Sequence, residues 1–275
     1  MTMVPLLSSK LGLAPTTQKI EKDKVLSVVL TKMPWSFGPA NISMALLIAL
    51  LLKQTPISLL IPLNKMRLFI DSANLAEIKQ CFDTGLIDGI TTNPTLIYKT
   101  GELPEYIYDS LVEMGIPDIS MEVMGTRNEM LKEAVQLFTK YKEAVTVKLP
   151  MTVAGLSACR ELDELAIRTN VTLVFNAAQA LLAAKAGATY ISPFVGRIDD
   201  QGYAGTEVVR SCSELLRSTS TQVLAASIRT PQRVVRSFYN GADIVTMPPS
   251  VFWQMYNHVL TDQGLEIFEK DSQST

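Results

Sequence analysis

From Met66 onward the sequence alternates short apolar runs with longer amphipathic stretches, and it does so eight times. The short runs, rich in Val, Ile and Leu, read as strands at 67–71, 89–92, 119–124, 144–149, 170–175, 190–194, 223–227 and 243–247. Between them, segments such as 75–83, 127–141, 154–168, 177–186 and 206–218 space their apolar residues as one face of a helix. Strand–helix units in series build a parallel sheet, and eight of them suffice to close a (β/α)8 TIM barrel. The connections agree. Gly85, Gly187 and Gly241 fall just after helical stretches, where a left-handed cap belongs. Asn93-Pro94, Leu149-Pro150 and Met247-Pro248 follow strands, where Pro ends pairing and can open a helix. An open doubly wound sheet would want a Gly-rich phosphate turn after its first strand, and Asp71-Ser72-Ala73-Asn74 is not one. The fold expected of residues 66–275 is therefore a single-domain α/β barrel, at the compact end for its class.

Residues 1–65 read differently. They hold seven Lys, no Arg and two acids, Glu21 and Asp23, for a net +5; the whole chain carries −2, so the remainder carries −7. Ile42 to Leu52 is a nearly pure apolar run of eleven residues, well short of the roughly 20 that span a bilayer as a helix. Its length and the lysines before it suit a signal-peptide core, but no clear small-x-small cleavage site follows. Three readings compete for this extension: translated sequence upstream of a natural start at Met66, a processed targeting peptide, or a membrane-surface anchor. The first is preferred because the barrel is complete without the extension.

Composition excludes some chemistry. A net charge of −2 gives no sign of a nucleic-acid partner. Three cysteines without a CxxC pair, and His258 as the only histidine, argue against a Cys/His zinc site and against Ser-His-Asp or Cys-His nucleophiles. The unpaired cysteines fit a reducing compartment, so a cytoplasmic protein is expected.

A barrel of this kind places its active site at the C-terminal strand ends, and polar residues gather there. Strand one ends in Asp71, strand two runs into Thr91 and Asn93, strand three carries Glu122 and strand four Lys148. Strand five carries Asn170 and Thr172, strand six Ser192 followed by Phe194 and Arg197, and strand seven Ser227 followed by Arg229. Lys148 is the most informative. Side chains alternate along a strand, so Thr146 and Lys148 share one face and Val145, Val147 and Leu149 the other, which suits the outer helices. An inward amine can condense with a ketone and act as the electron sink for breaking a carbon–carbon bond, which needs no metal or organic cofactor. It must be uncharged to attack: burial favours that state, and nearby Asp71 and Glu122 oppose it. A buried ion pair with a purely structural role is the alternative. One carboxylate can move the proton of the substrate hydroxyl, while the other, with Thr172, orients water. Asn93 and Asn170 can bind sugar hydroxyls or cap loops. Arg197, Ser227 and Arg229 together look like an anion clamp, although a lone Arg is most often a solvated surface charge.

Six stretches in order carry a resemblance: LFIDSAN at 68–74, GITTNPT at 89–95, VTVKLP at 145–150, NVTLVF at 170–175, AAKAGATYISPFVGRI at 183–198 and LAASIRTP at 224–231. Residues 66–271 closely resemble the small transaldolases and the related fructose-6-phosphate aldolases. The resemblance implies that Lys148 is a Schiff-base lysine, Asp71 the proton-transfer group, and Glu122 and Thr172 the holders of a catalytic water. It implies that Thr91, Asn93, Asn170 and Ser192 contact the substrate chain, and Arg197, Ser227 and Arg229 its phosphate. The implied reaction moves dihydroxyacetone from sedoheptulose 7-phosphate to glyceraldehyde 3-phosphate, in the manner of the pentose phosphate route. The aldolase branch has Gln where this chain has Glu122 and Tyr where it has Phe194, so both positions favour transaldolase over aldolase. A sugar-phosphate-binding barrel without catalysis is the rival of another class. The resemblance also implies a ring-like homo-oligomer in which the segment 264–272 forms a helix packed on a neighbour; no membrane partner is expected for 66–275.

Overall fold

The computed structural model describes residues 66–273, so the readings of the extension 1–65 lie outside the described residues. Eight strands are present: β1 (Arg67–Asp71), β2 (Gly89–Thr91), β3 (Ile119–Glu122), β4 (Val145–Pro150), β5 (Thr169–Val174), β6 (Tyr190–Pro193), β7 (Gln222–Ala225) and β8 (Ile244–Met247). Each runs parallel to the next in sequence, and β8 returns to pair with β1, with Phe69 opposite Thr246. The result is the closed (β/α)8 barrel expected from the alternation. Around it lie α1 (Leu75–Phe82), α2 (Pro94–Thr100), α3 (Pro104–Glu113), α4 (Arg127–Tyr141), α5 (Val153–Glu164), α6 (Ala177–Lys185), α7 (Val195–Asp200), α8 (Gly205–Leu216), α9 (Pro231–Tyr239), α10 (Pro249–Gln254) and α11 (Val259–Gln273). The stretches after β2, β6 and β8 therefore hold two helices each.

Local chemistry sets the helix ends. Pro94 opens α2 behind an Asn93 cap whose Oδ1 accepts from Leu96 N at 3.0 Å, and Pro231 opens α9 behind Thr230 in the same way. Gly85, Gly187 and Gly241 follow α1, α6 and α9 with φ of 73°, 83° and 89°, a region closed to most side chains. Pro150 departs from expectation: it is the last residue of β4 rather than a helix opener.

The period of two divides the barrel residues into two populations. Ile70, Ile90, Met121, Val147, Val171 and Val245 join helix residues such as Ile78, Leu111, Ala134 and Ala158 in the core between strands and helices. Phe69, Tyr190, Leu224, Ala226 and Ile244 form a second cluster, filling the interior on the β1 and β6–β8 side. Across from them stand small or polar residues, among them Gly89, Ser120, Thr146 and Asn170. Gly89 has to be glycine, because a Cβ there would lie 2.6 Å from the Phe69 ring.

The N-terminal end of the barrel is closed by a polar network around Asp118. Its carboxylate, 4% exposed as a residue, accepts hydrogen bonds from Thr146 Oγ1 (2.7 Å), Tyr190 Oη (2.7 Å) and Arg168 Nη1 (3.0 Å), with Arg67 at 3.8 Å. A buried charge with this many donors leaves all of them stranded when it is removed. Asp118→Ala is expected to cost about 3 kcal/mol of stability, read as a lower denaturant midpoint, while activity per folded molecule is unchanged.

Two non-glycine residues at the opposite end hold left-handed backbone, at a cost of roughly 1–3 kcal/mol each. Leu173 (φ 62°) lies in a register shift of β5 between Val171 and Val174. Ser227 (φ 59°) leaves the extended region just beyond β7, which is why pairing ends before it rather than through it.

Candidate active site

The inward polar residues converge on a small cavity at the C-terminal end of the barrel, about 110 Å³, lined by Asp71, Thr91, Asn93, Lys148, Ser192, Phe194, Arg197, Ala226, Ser227 and Thr246. A wider cleft of about 590 Å³ lies between the β1–α1 turn and α2–α3; its walls come from helices and loops rather than strand interiors. The chemistry gathers in the smaller space.

Lys148 is 5% exposed. Its register on β4 puts it beside Glu122 on β3 and Asn170 on β5. The Nζ lies 3.0 Å from Glu122 Oε2 and donates to the Thr92 carbonyl at 2.8 Å. That carbonyl is held in place because Thr92 Oγ1 and N both donate to Ser120 O. The amine is thus both ion-paired and turned to the cavity, so a structural pair and a reactive group are not exclusive here. Glu122 lies behind the lysine and does not line the cavity.

Asp71 stands across the cavity at the end of β1. Its Oδ1 accepts from Thr91 Oγ1 at 2.8 Å, and Thr91 Oγ1 lies 2.7 Å from Thr246 Oγ1. Burial pushes the Asp71 carboxyl above the usual range, against the opposing pull of the Lys148 charge and the Thr91 hydrogen bond.

On the β5–β6 side Ser192 Oγ donates to Asn170 Oδ1 at 2.7 Å and Asn170 Nδ2 donates to Ser120 Oγ at 3.1 Å, which fixes the amide's orientation. Asn170 is fully buried beneath Ser192. Thr172 Oγ1 is buried with no hydrogen-bond partner among the described residues, and Thr172 does not line the cavity. The Leu173 irregularity immediately follows it.

Cations ring the mouth. The Arg197 guanidinium lies over the Phe194 ring at 4.9 Å and has no carboxylate partner among the described residues. Phe194 in turn meets Phe175 edge to face, with centroids 6.0 Å apart. Arg229 points away from the cavity and is gripped in bidentate fashion by Asp200 of α7. Gly196 lets α7 approach this closely: a Cβ there would lie 2.4 Å from Ser227 O and 2.8 Å from Arg229 Nε. Asn93 does two jobs, capping α2 and lining the cavity. The three cysteines are buried away from this site, and burial lifts Cys159 and Cys212 to about 11, leaving poor nucleophiles.

The family model described as Transaldolase/Fructose-6-phosphate aldolase matches residues 68–275. The chain belongs to this family. Proteins named probable transaldolase are 46% identical to it over 209 residues in Caldicellulosiruptor saccharolyticus, covering 75% of this chain and 96% of that one. A probable transaldolase of Thermodesulfovibrio yellowstonii is likewise 46% identical, covering 75% and 97%. That of Brachyspira hyodysenteriae is 46% identical over 211 residues, covering 75% and 97%. Among solved structures, thiamine phosphate pyrophosphorylase from Pyrococcus furiosus superposes with a TM-score of 0.45 at 17% identity, over 67% of this chain and 86% of that one, too distant to bear on the chemistry. Family membership supports a transaldolase/aldolase-type enzyme, and the cavity brings Lys148 and Asp71 to one space.

Sequence reasoning missed Thr246 and Ala226 in the lining. Thr246 shares its face of β8 with Ile244, an inward core residue, so the alternation in Ile244-Val-Thr-Met247 did hold the signal. The Thr92 carbonyl gave none, because a backbone acceptor is invisible in side-chain patterns.

Proposed function

We propose that this protein is a transaldolase that transfers a dihydroxyacetone unit from sedoheptulose 7-phosphate to glyceraldehyde 3-phosphate through a Schiff base on Lys148, giving erythrose 4-phosphate and fructose 6-phosphate. The observation that carries this reading is the Lys148 amine: buried, facing the cavity, with Glu122 3.0 Å behind it and Asp71 on the opposite wall. A proton passed from Lys148 to Glu122 frees the amine to attack the ketone carbon. Loss of water from the adduct forms the iminium, with Glu122 and Thr172 handling that water. Asp71 then takes the proton of the hydroxyl two carbons from the iminium carbon. The bond from that hydroxyl's carbon to the carbon next to the iminium breaks, its electrons flow into the iminium to give an enamine, and the hydroxyl's carbon leaves as the aldehyde. The enamine attacks the incoming aldehyde, Asp71 returns the proton, and water releases the new ketose. Ser192, Asn93 and Thr91 present hydrogen-bonding groups for the chain of hydroxyls, with Asn170 orienting Ser192 from beneath.

Borohydride reduction in the presence of fructose 6-phosphate tests the reading. A stable adduct on the peptide containing Lys148 is expected, and its absence would leave only a sugar-phosphate-binding barrel. The fructose-6-phosphate aldolase reading is the second one, and Phe194 weighs against it: with no hydroxyl there, the residue offers water no help in releasing the three-carbon fragment early. Efficient cleavage of fructose 6-phosphate without an acceptor aldehyde would reverse that preference.

Arg197, with Ser227 beside it, suits the substrate phosphate, and Arg229 joins when a phosphate competes it away from Asp200. Arg197→Ala is expected to raise KM for phosphorylated substrates about tenfold or more, with unphosphorylated acceptor aldehydes little affected. Steady-state kinetics with paired substrates reads that difference.

The remaining assignments follow the same family reading. The enzyme occupies 66–275 as one domain with 1–65 as an extension to it, acts in the cytoplasm in the pentose phosphate route, and uses no cofactor. Helix α11 has no buried residue and exposes Val259, Leu260, Leu265, Ile267 and Phe268, which suits packing on a second copy in a ring. No helix among the described residues is long and apolar enough to cross a membrane.

A further inference from the structure

Thr246 has no role in the steps above, yet its side chain is 2% exposed and touches the one hydroxyl that contacts Asp71. With Asp71 ionised, the direction of the hydrogen bonds follows from the number of protons available. An ionised carboxylate only accepts, so the single proton on Thr91 Oγ1 points to Asp71 Oδ1, 2.8 Å away. The 2.7 Å contact between Thr91 and Thr246 can then be made only by the Thr246 hydroxyl donating. The three groups form a one-way chain, Thr246 to Thr91 to Asp71, and a donor behind Thr91 polarises its O–H and strengthens the bond it makes to the carboxylate. When Asp71 takes up a proton the chain is free to reverse. Thr246 lines the cavity, so its lone pairs or proton meet ligand or water at the far end.

We propose that Thr246 is a positioning residue for the acid/base step: by donating to Thr91 it fixes the direction of the hydroxyl chain and supports the charged form of Asp71. This rests on the assignment of Asp71 as the proton-transfer group. The charged groups facing Asp71 are few. Lys148 of β4 opposes it, itself neutralised by Glu122 of β3, and Arg197 of α7 stands at the mouth. The neighbouring strands β2 and β8 contribute only hydroxyls, Thr91 and Thr246, so a change at Thr246 reaches the carboxylate through one route.

The test uses the full chain with Thr246→Val, which keeps shape and removes the donor, and Thr246→Ser, which keeps the donor. Thr246→Ala serves the first purpose should Val disturb β8. Losing the donor disfavours the carboxylate form, so the acid limb of kcat moves to higher pH. For the Val variant kcat is expected to fall roughly 3–10-fold on the acid side and to stay within about twofold on the alkaline side, with the Ser variant following wild type. Independently of turnover, the carbon-13 carboxyl resonance of Asp71 is expected to titrate at higher pH in Val than in wild type or Ser. Superimposed titrations, or a Ser variant that behaves like Val, would overturn the proposal. Borohydride trapping at Lys148 is expected to persist in all variants. A wild type that fails to trap but shows the carboxyl shift refutes the Schiff-base reading while leaving the hydroxyl chain intact.

Discussion

Lys148→Met is expected to lower kcat by about four orders of magnitude or more and to abolish covalent capture of a ketose under borohydride. No other amine among the described residues lines the cavity, and the remaining groups supply only binding and proton transfer. The same substitution has a second expected signature. Glu122, 9% exposed at its side chain and 3.0 Å from the amine, loses its partner and is left as a stranded buried acid. Breaking a buried pair from one side destabilises by about 3–5 kcal/mol, part of which the protein recovers by protonating the survivor. The double variant Lys148→Met with Glu122→Gln should therefore regain much of the stability and none of the activity. Denaturant titration of both variants, beside kcat, checks the pair of outcomes. Retention of more than about a hundredth of wild-type kcat by Lys148→Met would refute the Schiff-base chemistry, since acid–base catalysis alone accounts for about 10²–10⁴-fold.

Asp71→Asn is expected to move activity and stability in opposite directions. Without a proton acceptor for the substrate hydroxyl, kcat falls about 10²–10⁴-fold. The stability sign follows from the carboxyl, which burial lifts above its unfolded value even against the pull of Lys148. A raised acid favours folding while it is protonated, at pH below the unfolded pKa, and that contribution is lost as pH rises through the folded pKa. As pH rises above the unfolded value Asp71 therefore works increasingly against folding, and Asn, which can still accept from Thr91, removes the penalty. Thermal unfolding of the two proteins should show the variant unfolding at higher temperature near pH 7 and the gap closing at pH 4 and below. A variant less stable than wild type at pH 7 would show that the Lys148–Asp71 attraction outweighs the desolvation.

Much of this site was readable because a barrel strand obeys a strict alternation. Thr146 and Lys148 could be placed inside only because Val145, Val147 and Leu149 demanded the outside, and that division is what the core shows. The same logic placed Asp71, Thr91 and Ser192 around one cavity. What escaped reading was decided by other forces. The Leu173 irregularity in β5 has no glycine to announce it, since a leucine itself holds φ 62° there. Asp118 precedes β3 rather than lying within it, so no strand pattern flagged the network it anchors. Arg229 shared a motif with Ser227, but its direction depends on Asp200, 29 residues earlier in the chain and at the end of α7. Long polar side chains choose partners in space, and sequence order says little about which carboxylate will be nearest.

The polar closure of the barrel's far end bears on how substrates take turns. Phe69, Tyr190 and the donors around Asp118 fill the barrel below Lys148, while Arg197 lines the cavity at the other end. With a cavity of only about 110 Å³, a departing sugar and an arriving one contend for the same space. If Lys148 holds the carbon fragment as proposed, donor and acceptor use the cavity in alternation, and each is expected to inhibit by occupying the other's turn.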